Sequence, residues 1–195
     1  NVLFDDNLDQ VNVKLDTSKW ILKEFQEVQD KYFVNIEKYQ FHEVASLIYH
    51  FTWHTYCDWY IEFIKLDFQD INKSAETKKI AGWVYVQILK LLHPIMPFIT
   101  EKLWLSLVDS ESYLMSQNFT KVNFDKSFNN SKKYILKIIE IMTAIRNLRA
   151  NLNISYKNNI EIIVDTKNNS LKDFIVKYEK EFERLLKIKS IIYQE

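Results

Sequence analysis

Across 195 residues the chain balances 26 Lys/Arg against 26 Asp/Glu and is 47% hydrophobic, enough apolar mass for one sizeable core with a small appendage. A single glycine excludes glycine-rich phosphate loops, dinucleotide fingerprints and nucleophile elbows, and Cys57 alone makes neither an internal disulfide nor a cysteine-rich zinc site. No run of about 18 apolar residues occurs and the start, NVLFDDNLDQ, is acidic and polar, so the expected setting is the cytoplasm, away from membranes.

The zero net charge hides an asymmetry. Residues 1–119 carry 11 Lys/Arg and 17 Asp/Glu, whereas residues 120–195 carry 15 and 9. A nucleic acid would approach the second half, and attraction between the halves would explain the same numbers.

After an irregular start, Ile21, Phe25, Val28, Tyr32 and Ile36 recur at steps of three and four and predict a helix over about 16–39, with Asp16 or Thr17 as its cap. A second helix is expected over about 41–66. It is apolar around most of its circumference, which predicts a central place in a bundle, with one polar stripe of His50, His54, Asp58 and Glu62. A third helix, about 74–93, turns Ile80, Val84, Ile88, Leu91 and Leu92 inward and places Lys78, Lys79 and Lys90 at other angles. Pro94 ends it, and Pro97 suits the first turn of a short helix reaching about 107.

Residues 108–127 lack a period and read as an irregular crossing. The last long helix, about 131–151, should bury Ile138, Met142, Ile145, Leu148 and Leu152. IEIIVD at 160–165 and SIIYQE at 190–195 read as strands around a helix at 170–187. The expected architecture is therefore mainly α: a helix bundle over 1–157 with a small β-α-β appendage over 158–195.

Several constellations bear on chemistry. His50, His54 and Asp58 share a helical face, but Phe51 stands where a zinc-protease pattern needs Glu, so a polar seam with an Asp58–His54 hydrogen bond is the expected use and no metal site is assigned. Cys57 lies one turn from His54, yet nothing offers an oxyanion hole, and no catalytic residue is assigned. Arg146 and Arg149 are two of only three arginines and sit one turn apart. Their planar forks suit either RNA phosphate and bases or pairing with Asp58 or Glu62 of the second helix. Among Trp53, Tyr56, Trp59, Tyr60 and Phe63, most rings should be core and a minority free to stack on unpaired bases.

Four segments carry a family resemblance in order: WILKEF at 20–25, FHEVASLIYHFTWHTYCDWYIEFIK at 41–65, LLHPIMPFITEKLW at 91–104 and IRNLRANLNIS at 145–155. Together they resemble the helical anticodon-binding domain shared by class I aminoacyl-tRNA synthetases for valine, isoleucine and leucine, and CDWYIE at 57–62 is most similar to the valyl branch. The resemblance covers about 16–157. It implies a synthetase anticodon-binding helix bundle, tRNA (valine tRNA) as partner, and a monomer. It also implies RNA-contact candidates at Arg146, Arg149, Trp53, Trp59 and Lys65, with alanine at either arginine weakening tRNA binding more than stability.

The HIGH and KMSKS elements of the class are absent, so ATP with magnesium would belong to the full enzyme and no cofactor to this segment. The segment is expected to be an excised piece, lacking the opening bundle helix, the editing domain and the C-terminal coiled coil. The alternatives are an isoleucyl or leucyl counterpart, or a non-enzymatic helical protein-interaction module.

Overall fold

The computed structural model describes residues 8, 12–107 and 112–194. Most of the irregular start and positions 108–111 of the expected crossing lie outside them. The chain forms two compact units, residues Asn1–Lys132 and Lys133–Glu195.

In the first unit, α1 (Asp16–Glu37) buries Ile21, Phe25, Val28 and Tyr32 on the expected face. Its start differs from expectation. The cap position is Leu15, without a side-chain cap, because Asp16 and Thr17 already lie inside the first turn. The carboxylate of Glu76 instead accepts from the amides of Lys14 and Leu15, at 2.9 Å from Leu15 N to Oε1. Asp16 accepts from the Ser131 hydroxyl at 2.7 Å.

The expected second helix is three segments in line: α2 (Phe41–His50), a π-helical stretch (Phe51–Tyr60) and α3 (Ile61–Ile64). Its buried positions run Val44, Ile48, Phe51, Tyr56, Tyr60, Phe63 and Ile64, and the five-residue step from Phe51 to Tyr56 matches the wider π repeat. It is not the buried centre of the bundle. Phe41, Tyr49 and Trp53 are exposed along it.

That place belongs to α4 (Ile71–Leu92), whose residues from Ile80 to Leu91 are almost all buried. Trp83 of α4 meets Phe25 edge-on at 5.3 Å, and Phe25 reaches Phe51 at 5.9 Å, so aromatic contact runs from α1 to both neighbours. Lys90, expected away from the core, is buried, with Nζ donating to the carbonyl of Asn118 at 3.0 Å.

Pro94 and Pro97 act as expected: α4 ends and α5 (Pro97–Leu107) begins at Pro97. Thr100 donates to the Met96 carbonyl at 2.8 Å and lies 2.8 Å from His93 Nδ1, which ties the turn together. A second cluster joins Val86, Leu89, Trp104 and Leu114.

The crossing segment is irregular but not loose. Buried Gln29 donates to the carbonyl of Thr120 at 3.0 Å and accepts from the amide of Val122 at 2.7 Å. Gln26 accepts from the amide of Phe124 at 3.0 Å. Phe119 packs on Phe33 at 5.3 Å, and Phe124 on Trp83 at 6.0 Å.

One helix, α6 (Phe128–Asn151), begins in the first unit and supplies most of its length to the second. There β1 (Ile160–Asp165) pairs in parallel with β2 (Ile188–Gln194). The linking helix is broken at Tyr178 into α7 (Asn169–Lys177) and α8 (Glu179–Leu186). The compact units divide at Lys132, and the last turn of α6 is bound to the strand-helix-strand chain that follows it.

The buried stripe of α6 also departs from expectation. It runs Ser131, Ile135, Ile138, Met142 and Arg149, with Leu148 and Leu152 58% and 60% exposed. Both stripes obey helical spacing, and the buried one passes through an arginine that periodicity in apolar residues does not count.

Candidate nucleic-acid interface

The π stretch sets the outward face of its helix. Trp53 is 54% exposed, one turn beyond Tyr49 at 56%, with His50 and His54 exposed beside them. The His50 and His54 rings stack at 5.4 Å with an interplanar angle of 30°, and the Tyr49 ring meets His54 edge-on at 5.9 Å. His54 Nδ1 lies 3.2 Å from Asp58 Oδ2, the expected bond across one turn. The result is a ridge of three touching rings, Tyr49, His50 and His54, with Trp53 exposed one turn from Tyr49, the kind of surface on which unpaired bases stack.

Trp59 is half-buried and stacks on Phe63 at 5.9 Å, so less of its ring faces solvent than that of Trp53. Lys65 is exposed and pairs with Glu62. Tyr56 and Tyr60 are core, in line with most of this aromatic run being structural. Cys57 is exposed, and its thiol is pushed up by partial desolvation and by Asp58, so it stays protonated near neutral pH and lacks the character of a nucleophile. Among the described residues no three His, Cys, Asp or Glu side chains gather as a metal site.

In the second unit the two arginines have different fates. Arg146 is exposed on α6. Arg149 is 6% exposed and spends its guanidinium on main-chain carbonyls: Nη1 donates to Leu186 at 2.5 Å, and Nη2 to Ser155 at 2.7 Å and Asn158 at 2.8 Å. Its carbon Cζ lies 5.6 Å from the Tyr156 ring centre. The expectation of an RNA-contact role at Arg149 is corrected: its fork is buried and aimed at the loop and strand entrance of its own unit.

Sequence reasoning overlooked Tyr49, although its four-residue step to Trp53 was a usable signal. Lys133 and Lys137 of α6, also four apart, were overlooked as well.

The family described as the anticodon-binding domain of tRNA ligase matches residues 18–164. The chain belongs to this family. Curated relatives are named valine–tRNA ligase: that of Pelagibacter ubique is 33% identical over 184 residues, covering 92% of this chain and 21% of the relative. Those of Mesoplasma florum and Syntrophotalea carbinolica are 34% and 30% identical, covering 88% and 96% of this chain and 19% and 21% of each relative. The chain therefore spans about a fifth of the length of the curated relatives it matches. These relatives support the valyl reading over the isoleucyl, leucyl and protein-scaffold ones. Among the described residues no helix is long and apolar enough to cross a membrane.

Proposed function

We propose that this chain is the part of a valine–tRNA ligase that holds the anticodon stem-loop of valine tRNA, in the cytoplasm and as one copy per tRNA. The observation that carries the reading is the family match across residues 18–164 together with valine–tRNA ligases as relatives. ATP with magnesium, and the attachment of valine to the tRNA, belong to the longer enzyme.

On this reading the Tyr49–Trp53 ridge stacks unpaired loop bases, each worth about 1–3 kcal/mol, with Trp59 a lesser contributor. Arg146 and Lys65 supply phosphate contacts that fix register without reading sequence. Discrimination follows because a wrong base leaves polar groups without partners.

The test is binding of a valine tRNA transcript, and of transcripts altered in the anticodon, at two salt concentrations. Preference for the unaltered anticodon that persists in moderate salt supports the reading. Equal binding of all transcripts removes base reading, and loss of all binding in moderate salt leaves only charge attraction.

A further inference from the structure

The geometry points to a second nucleotide-binding groove, on the second unit, in which one nucleotide of the bound RNA lies with its backbone phosphate between Lys133 and Lys137; this rests on the tRNA-binding reading above. A cavity of about 530 Å³ opens there, between one face of α6 and the entrance to α7. Its size falls within the range of small-ligand clefts, roughly 300–1,000 Å³.

The lining is of two kinds, as a nucleotide requires. Tyr134, Leu136 and Leu171 supply an aromatic ring and apolar surface for a base or ribose, and Lys133, Lys137 and Glu140 supply charge. Lys133 and Lys137 sit one helical turn apart, so their ammonium groups serve one stretch of backbone. Lys133 is exposed and, among the described residues, has no ion-pair partner. Lys137 is held by Glu140 at 2.9 Å, both well exposed, so the pair costs little to open. Residues 133–195 carry 12 Lys/Arg and 8 Asp/Glu, so the surroundings favour an anion.

Glu140 makes the proposal testable in both directions. In the full chain, Lys133→Gln with Lys137→Gln should weaken binding of the valine tRNA transcript several-fold, equally for all anticodon variants, and reduce the slope of log affinity against log salt by about one, for the single phosphate the two lysines share. Glu140→Gln should tighten binding, because it frees Lys137 and removes a repelling charge, while thermal stability stays unchanged. An unaltered salt slope in the double variant, or weaker binding by Glu140→Gln, overturns the groove while leaving tRNA binding intact. Tight binding of uridine monophosphate alone, lost in the double variant, also overturns it in favour of a free-nucleotide site. If the unaltered chain binds no tRNA, the functional reading and the groove fall together.

Discussion

Arg149 reaches the main-chain oxygen of Leu186, 37 positions away, and the same guanidinium also holds the carbonyls of Ser155 and Asn158. A helix end, the loop after it and the residue two before β2 therefore share one charged clasp. Truncating it strands the carbonyl of Leu186, whose bond is buried, while the Ser155 carbonyl still accepts from the amide of Asn158 at 3.0 Å. Arg149→Ala should cost about 1–3 kcal/mol for the buried carbonyl left without its donor, and Arg149→Lys should recover only part of that because an ammonium lacks the fork. Urea unfolding checks both. The expectation that alanine here acts mainly on tRNA binding is reversed for Arg149 and kept for Arg146.

Trp53 and Trp59 separate surface from support. Trp53→Ala should leave stability within about 0.5 kcal/mol and lower tRNA affinity, whereas Trp59→Ala should cost about 1–2 kcal/mol through loss of its stack on Phe63. Parallel melting curves and tRNA titrations distinguish them. A stability loss at Trp53 with unchanged affinity would remove it from the interface.

Two buried phenols set an alkaline limit. Burial pushes Tyr56 well above its ordinary value of 10.0, with Cys57 and Tyr85 adding to the effect, and burial does the same to Tyr60. Above pH 10 the unfolded chain gives up these protons while the fold keeps them. Stability is therefore full below that point and falls above it, by about 1.4 kcal/mol per pH unit for each phenol. Tyr56→Phe should flatten the decline, at the cost of about 1 kcal/mol at neutral pH for its lost 2.9 Å bond to the Ala81 carbonyl.

Glycine usage is inverted in this chain. Tyr39, Asn153 and Lys187 adopt φ of 57°, 53° and 55°, while the one glycine, Gly82, sits inside α4 beside an open apolar groove of about 280 Å³. Gly82→Ala should stabilise by about 0.5–1 kcal/mol, and Tyr39→Gly should relieve about 1 kcal/mol of left-handed strain. Thermal unfolding of the two variants and their combination measures each gain.

Much of this fold was legible before any coordinates. The three- and four-residue steps of α1 and α4, the Pro94–Pro97 punctuation and both strands fall where local chemistry puts them. What local pattern did not reveal depends on distant partners. The apolar spacing of Leu148 and Leu152 is good helix grammar, yet the buried position is Arg149, whose reason lies at Leu186. The π stretch leaves no mark in residue type, and it was the exposure of Tyr49 and Trp53 that turned an expected core helix into a candidate binding ridge. Arg146, Trp53 and Lys65 were named from the sequence as RNA-contact candidates, and the structure leaves all three exposed. The groove at Lys133 was not, because Leu171 of α7 meets it only after folding.

The glutamine pair on α1 has a wider consequence. Bare extended backbone invites pairing with a neighbouring molecule, and many proteins guard such stretches with charge or proline. Between Thr120 and Phe124 this protein gives three of the main-chain sites amide side chains from Gln26 and Gln29, a mimic of a sheet partner built from a helix. The segment is left with less capacity to recruit a foreign strand, and loss of either glutamine would first show itself as a tendency to self-associate.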